Sequence, residues 1–263
     1  METERTQEYL EAIYKRQEGQ SPVSTSALAD DLKVSQPAVT DMLRSLENRG
    51  FINYRPGKGA VLTETGSEKA LGVIRRHRLW ERFLTDVLGM DWGKVHEQAC
   101  RLEHVTSPEM EERLADLLGN VDTCPHGHAV PSLSGEVDEE AGTPLSVMEA
   151  GQKATVLRVP EDEPGILTYL SQLGLKPDAE VLLEETAPFK GPVTVRVDGV
   201  KHALGRELAS RIIVRPSGVA PLHAPQTPQE GDSVGRSLYS LQMGDSGRVV
   251  ELRGGHGFAS RMA

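Results

Sequence analysis

The chain has 263 residues, 38% of them hydrophobic and 26% charged, a composition ordinary for a globular protein. No uninterrupted apolar run approaches the roughly 18 residues a membrane span needs, and residues 1–30 hold no apolar block ahead of a small-residue cleavage site, so a cytoplasmic protein with no membrane partner is expected. The net charge of −10 is unevenly spread: residues 1–90 hold 13 Lys/Arg and 13 Asp/Glu, while residues 42–82 hold nine basic against four acidic, so an acidic chain still offers a local cationic surface.

The apolar residues Tyr9, Leu10, Ile13 and Tyr14 recur at helical spacing over 7–16, and Gly19 with Pro22 closes that helix. A second helix starts at Ser24-Thr25 and turns Leu28, Ala29 and Leu32 inward. After a short turn at Lys33-Val34-Ser35, a third helix follows. Ser35 is its N-cap, Pro37 stands in its first turn, Val39, Met42, Leu43 and Leu46 form its stripe, and Gly50 ends it. Strands at 51–54 and 60–63, joined through Arg55-Pro56-Gly57-Lys58-Gly59, complete the order of a winged helix-turn-helix. A recognition helix enters the major groove N-terminus first, which puts Ser35, Gln36, Pro37, Ala38, Thr40 and Asp41 at base edges and phosphates. Arg44 lies one turn on and Lys58 at the wing tip. The same scaffold also serves in protein interaction modules, but the basic surplus over 42–82 favours DNA.

Residues 65–120 read as helix in three stretches, 65–88, 92–104 and 108–118, the last capped at Ser107-Pro108. His77 and Glu81 share a helix face at i and i+4; Cys100, Glu103 and His104 share another, with His96 one turn before Cys100. Singly, such residues are usually solvated or, for Cys, part of a core. Six ligand-type side chains in 28 positions favour a metal, and mixed S/N/O ligation suits a borderline divalent transition ion over Ca²⁺ or Mg²⁺.

Residues 120–152, rich in Pro, Gly and Ser, read as loop and linker. Alternating segments at 154–157, 180–183, 193–197 and 211–214, with a short helix near 165–173, give a small β-barrel pattern. A Pro-rich linker covers 216–231.

The run Arg75-Arg76-His77-Arg78-Leu79-Trp80-Glu81-Arg82-Phe83-Leu84, followed by Lys94-Val95-His96-Glu97-Gln98-Ala99-Cys100-Arg101-Leu102-Glu103-His104-Val105, resembles the diphtheria toxin repressor family of metal-dependent transcriptional regulators. The likeness extends from about Thr6 to Val214. It implies a mainly α chain with a small β domain: a winged helix-turn-helix at 1–73, a helical metal-binding and dimerisation domain at 74–140 and an SH3-like, FeoA-type barrel at 150–216.

By position, the resemblance implies a primary site of Cys100, Glu103 and His104 with Glu8 from the first helix, and an ancillary site of His77, Glu81 and His96 with an acidic residue of the barrel, matched to Glu163. Glu11 matches a ligand of the manganese branch, and the Cys124-Pro125-His126-Gly127-His128 segment either lends a cysteine to the metal, as in some manganese regulators, or is a tight polar turn. The co-repressor is Mn²⁺ or Fe²⁺. The carboxylate Glu8, where the iron branch has methionine, favours the harder ion, while Cys100 is soft. A homodimer on a palindromic operator in double-stranded DNA follows from this family.

The rivals are a metalloenzyme, for which no motif such as H-E-x-x-H is present, and a winged-helix regulator of a small effector or protein partner whose His/Glu/Cys set is structural. Contact of the barrel with a transporter or a proline-rich segment would add to repression. Residues 245–263 look like the opening of a second FeoA-like barrel, so 217–263 is expected to be a linker and an incomplete, poorly ordered segment of a truncated product.

Overall fold

The computed structural model describes residues 3–17, 19, 21–161 and 164–217. Its first part is three helices and a wing. Helix α1 (Glu4–Gln17) buries Tyr9, Leu10 and Ile13 against α2 (Thr25–Leu32) and α3 (Gln36–Asn48), whose Leu28, Leu43 and Leu46 are fully buried. Side-chain caps fix the helix starts: the hydroxyls of Ser24 and Ser35 accept from the N–H groups of Ala27 and Ala38. Lys33 takes a left-handed conformation (φ 52°) to close the turn between them, and Gly50 (φ 76°) follows the last cap residue, Arg49, rather than being that residue. Strands β1 (Ile52–Arg55) and β2 (Gly59–Leu62) pair antiparallel with Ile52 opposite Leu62, which forms the expected wing.

Helix α4 (Glu64–Arg82) carries the wing into the helical region. Gly66 lets its first turn lie against the wing, since a Cβ there would sit 1.9 Å from the Phe51 carbonyl oxygen. The α-helical bonding stops at Arg82, and Phe83–Val87 form a π-helical turn where the sequence reads continuous helix to 88. Helices α5 (Val95–Glu103) and α6 (Pro108–Leu118) pack on α4, with Ser107 capping α6 as expected.

The second half is an antiparallel sheet in the order β3-β8-β4-β5-β6-β7, comprising β3 (Thr143–Pro144), β4 (Lys153–Arg158), β5 (Glu180–Thr186), β6 (Val193–Val197), β7 (Val200–Leu204) and β8 (Ile213–Pro216). Helix α7 (Pro164–Gln172) follows β4 and α8 (Arg206–Arg211) follows β7. Val193, Val195 and Val197 point inward at period two, onto Leu167 and Leu170 of α7. Trp92, from the segment before α5, is part of this same core. Burying each such aliphatic side chain contributes about 1.5–3 kcal/mol.

The sheet departs from the sequence reading in two places. Residues 143–148, read as linker, supply β3 and a 3₁₀ turn at Leu145–Val147 with Leu145 fully buried. Strand β7 and helix α8 were not expected at all. Val200–Leu204 is an edge strand with mostly solvated side chains, so it lacks the apolar alternation that marks its neighbours. The expectation of a poorly ordered, incomplete second barrel falls, from residue 218 onward, outside the described residues.

Candidate metal centre

Helix α4 places His77 and Glu81 one turn apart, and His77 Nε2 lies 3.0 Å from Glu81 Oε1. Helix α5 runs alongside and turns His96, Cys100 and Glu103 toward them. His77 Nδ1 donates to Glu103 Oε2 at 2.5 Å, and Cys100 Sγ lies 3.9 Å from that nitrogen and 3.7 Å from His96 Nε2. His96 Nδ1 is 3.4 Å from Glu81 Oε1 without hydrogen-bond geometry and, although buried, has no hydrogen-bond partner among the described residues. Burial works against charge on His77, but the Glu81 carboxylate, Cys100 and Glu103 raise it well above the usual histidine range. Burial likewise opposes ionisation of the Cys100 thiol, yet the two imidazoles lower its pKa.

A second cluster lies on the other side of Glu81. Its Oε2 is 3.2 Å from His126 Nδ1; Cys124 Sγ is 3.9 Å from the same nitrogen and 4.0 Å from Glu161 Oε2. All four side chains are buried, and one ligand atom from each lies within 4.8 Å of the others. The tight loop that presents Cys124 and His126 is closed by the Cys124 N–H on His128 O (2.8 Å) and the Gly127 N–H on Cys124 O (3.0 Å). Gly127 sits at φ 91°, and a Cβ there would come 1.9 Å from Leu157 O, so only glycine brings this loop against the sheet. His126 Nε2 donates to the Trp92 carbonyl at 2.9 Å. Glu161, just after β4, is surrounded by Lys15 (3.5 Å), Arg78 (3.7 Å) and His128 (3.9 Å), and these cations hold its carboxyl below the usual range against the pull of burial.

A third group faces α1. One ligand atom each from Glu4, Glu8 and His104 lies within 4.8 Å of the others, and His104 Nδ1 donates to Gln7 Oε1 at 2.7 Å. His104 Nε2 is 3.2 Å from Glu103 Oε1. Between α1 and α5, Glu4, Glu8, Glu103 and His104, with His96 and Cys100, line a cavity of about 1090 Å³. Glu11 lines it too but is held by Lys15 at 3.1 Å.

These donors fit a divalent ion of the first transition row. Carboxylates, imidazoles and thiols gathered with ligand atoms within 4.8 Å are the donor types such an ion takes, and the buried His96 Nδ1 has no hydrogen-bond partner among the described residues. The expected pair His77–Glu81 is joined by His96 as the sequence reading has it. Cys100 Sγ, by contrast, groups with His77 and His96 while Glu8 groups with His104. Glu163 lies outside the described residues; Glu161, two positions earlier, is the carboxylate beside Cys124. His126 was not picked out as a candidate ligand. The Cys-x-His spacing next to Gly127 was its signal, but nothing local distinguishes such a turn from an ordinary polar one.

In the winged helix, Ser35, Gln36, Pro37 and Lys58 are exposed, with Ala38 half-buried. Thr40 bonds back to Gln36 O at 3.0 Å, and Arg44 is exposed with Asp41 4.0 Å away.

Residues 1–60 match the family profile "iron dependent repressor, N-terminal DNA binding domain", residues 63–132 the profile "iron dependent repressor, metal binding and dimerisation domain", and residues 143–216 the FeoA domain. The iron-dependent repressor IdeR of Mycobacterium tuberculosis is 33% identical over 223 residues, which cover 80% of this chain and 96% of that protein. The diphtheria toxin repressor of Corynebacterium diphtheriae is 38% identical over 218 residues, covering 79% of this chain and 95% of that one. Among solved structures, a manganese-dependent transcriptional repressor in complex with manganese superposes with a TM-score of 0.75 at 32% identity, covering 80% of this chain and 99% of that one. The manganese regulator SloR superposes with a TM-score of 0.69 at 31% identity, with 80% and 97% covered.

Proposed function

The chain belongs to the diphtheria toxin repressor family of metal-dependent transcriptional repressors, and from that premise we propose how its residues couple a divalent ion to DNA. It is a DNA-binding repressor of metal homeostasis genes with Fe²⁺ or Mn²⁺ as co-repressor. When bound, the ion supplies positive charge and coordination that carboxylate, imidazole and thiolate side chains share.

Glu8 on α1 and Glu103 and His104 at the end of α5 take one ion, in the cavity that Cys100 also lines. Holding Glu8 against α5 fixes α1, and α3 with it through the shared core, relative to the dimerisation helices. Glu81, Cys124, His126 and Glu161 take the second, so that Glu161 fills the role the sequence reading gave to the barrel's acid at Glu163. Val87, Leu88, Val105 and Met110 are large apolar side chains left exposed around α4–α6, and they form the face against a second copy. Two-fold symmetry then sets the distance between two recognition helices and calls for a palindromic operator with half-sites about one turn, ~34 Å, or a multiple apart. The DNA residues are Ser35, Gln36, Pro37, Ala38, Thr40, Arg44 and Lys58, and the protein acts in the cytoplasm, where its operator lies.

The observation that carries this reading is the buried set Glu81, Cys124, His126 and Glu161, drawn from α4, a loop and the sheet domain with ligand atoms within 4.8 Å. Its test is fluorescence anisotropy of the chelator-stripped protein on its own upstream DNA at one salt concentration, titrated with Mn²⁺ and, anaerobically, Fe²⁺. Tightening of tenfold or more, about 1.4 kcal/mol of coupling, is expected. Binding indifferent to both ions would transfer the His/Glu/Cys set to a structural role and favour an effector-responsive regulator.

A further inference from the structure

Glu8, Glu11 and Lys15 follow one another at i, i+3 and i+7 on one face of α1, so Lys15 stands about 10 Å beyond Glu8, in the last turn of the helix. There its ammonium meets carboxylates from two parts of the chain: Glu11 Oε1 at 3.1 Å and, from the end of β4, Glu161 Oε1 at 3.5 Å. It also stands between two cavities. One is the large space between α1 and α5; the other, of about 190 Å³, opens between α1, α4 and the sheet domain, and among the described residues lining them Lys15 alone borders both. Glu161 divides its oxygens. Oε1 faces Lys15 and Arg78 (3.7 Å), whereas Oε2 lies 4.0 Å from Cys124 Sγ and 3.9 Å from His128 Nε2. Arg78 donates to the Ala129 carbonyl and His128 to that of Val159, so both belong to the framework around the carboxylate. Lys15 instead reaches Glu161 from the DNA-binding part of the chain, with its side chain 32% exposed.

We infer that Lys15 is a resident counter-ion that clips α1 to the sheet domain in the metal-free chain, competes with the divalent ion for Glu161, and lets α1 go when the ion loads. This rests on the reading above that the cluster of Glu81, Cys124, His126 and Glu161 holds metal. The Glu161 carboxylate carries a single negative charge. A doubly charged ion drawn to Oε2 takes up that charge and repels the ammonium at Oε1, so the ion and the clip disfavour each other. The coupling is reciprocal: the clip weakens ion binding by the same factor by which the ion weakens the clip. On loading, α1 changes partner, from Glu161 at its last turn to the end of α5 through Glu8. The winged helix goes with it, since Tyr9, Leu10 and Ile13 share one core with Leu43 and Leu46 of α3. A partly exposed ion pair sets the effect at about two- to fivefold.

The test uses the full-length, chelator-stripped protein with Lys15→Met, which removes the charge and keeps the length of the side chain, and Lys15→Arg, which keeps both. The chain has two cysteines, so in a Cys100→Ser background the thiolate-to-cadmium charge-transfer band reports Cd²⁺ at Cys124. There Lys15→Met is expected to raise Cd²⁺ affinity at least twofold. In the parent background it is expected to raise metal-free binding to the upstream DNA at least twofold by anisotropy while leaving the Mn²⁺-saturated affinity where it was, so that stimulation by metal shrinks. Lys15→Arg should keep the parent's behaviour on both counts. Glu161→Gln should also raise metal-free DNA binding, although it weakens Cd²⁺ at Cys124, and adding Lys15→Met to it should change metal-free DNA binding no further. A Cd²⁺ affinity or a metal-free DNA affinity that Lys15→Met leaves unmoved or lowers, or gains that add in the double variant, would overturn the inference. If the parent itself gives no cadmium band, the metal reading fails and the inference with it. Near-ultraviolet circular dichroism checks the fold of each variant, with Glu161→Ala replacing Glu161→Gln if the latter does not fold.

Discussion

Glu81 and His126, 45 residues apart in sequence, meet with both side chains fully buried and Oε2 3.2 Å from Nδ1. Burial disfavours both charges, but the pairing wins: the Glu81 carboxylate and Cys124 raise His126 to about 11, and His77 and His126 hold Glu81 well below the ordinary carboxylate range. His126 therefore carries a proton at neutral pH, and an ion at Nδ1 must displace it. Metal affinity should rise with pH by about a factor of ten per unit for each proton released, and a weakly buffered solution should acidify as Mn²⁺ or Fe²⁺ is added. Calorimetry in buffers of different ionisation enthalpy counts the protons; a count of zero would contradict this pairing.

Gly127→Ala tests the loop that carries Cys124 and His126. The added Cβ meets Leu157 O at 1.9 Å in a backbone conformation with φ 91°, so the loop must retreat from the sheet. A stability loss of about 1–3 kcal/mol is expected, with a lower Tm by calorimetry, together with weaker metal binding at Cys124. An unchanged Tm would show that the loop is not held there.

The joint between α1 and α5 is tested by Glu8→Ala and His104→Ala. Glu8 is exposed, so Glu8→Ala should leave melting of the metal-free protein unaltered; the His104 side chain is 7% exposed and bonded to Gln7, so His104→Ala should cost about 1–3 kcal/mol, and its effect on DNA binding is read at a temperature where the variant is folded. Metal stimulation of operator binding should fall at least tenfold in anisotropy. Full stimulation in both variants would remove this group from the mechanism.

On the DNA face, Arg44→Ala and Gln36→Ala should separate two roles. Arg44 is exposed and its nearest carboxylate, Asp41, is 4.0 Å away, so it is available to phosphate; its loss should weaken all sequences alike and lower the salt slope by about one. Gln36, at the first turn of α3, should instead relax discrimination at one base pair by about 1–3 kcal/mol, read by competition with single-base operator variants.

Val105 and Leu88 are 69% and 58% exposed. Replacing either with Asp should leave the monomer's stability within about 0.5 kcal/mol, because little among the described residues covers it, and should shift sedimentation velocity toward monomer. A dimer of undiminished stability in the double variant would place the interface elsewhere.

The winged helix was legible because its signals are local. Ser24 and Ser35 cap, Pro37 starts a helix, Val39, Leu43 and Leu46 repeat at helical spacing, and each lies where the sequence places it. The i, i+4 pairing of His77 with Glu81 and the one-turn spacing of His96 and Cys100 were equally plain, since helix geometry alone puts such side chains on one face. Strand β7 escaped because an edge strand with solvated side chains carries no period-two signal, and β3 because two residues are too few to show one.

The sequence by itself determined a winged helix-turn-helix and a set of ligand-type residues spaced along α4 and α5, because both are set by short-range geometry, and its resemblance to the diphtheria toxin repressor family implied the metal-dependent repressor. The tertiary structure decided how those ligands are shared. It brought Glu161 from the end of β4 and the Cys124–His126 turn onto the far oxygen of Glu81, and it turned the Cys100 sulfur toward two imidazoles. Contacts across 23 to 80 residues depend on how α4, α5 and the sheet pack. That packing follows from the apolar faces of all three together, and no local repeat in the chain encodes it.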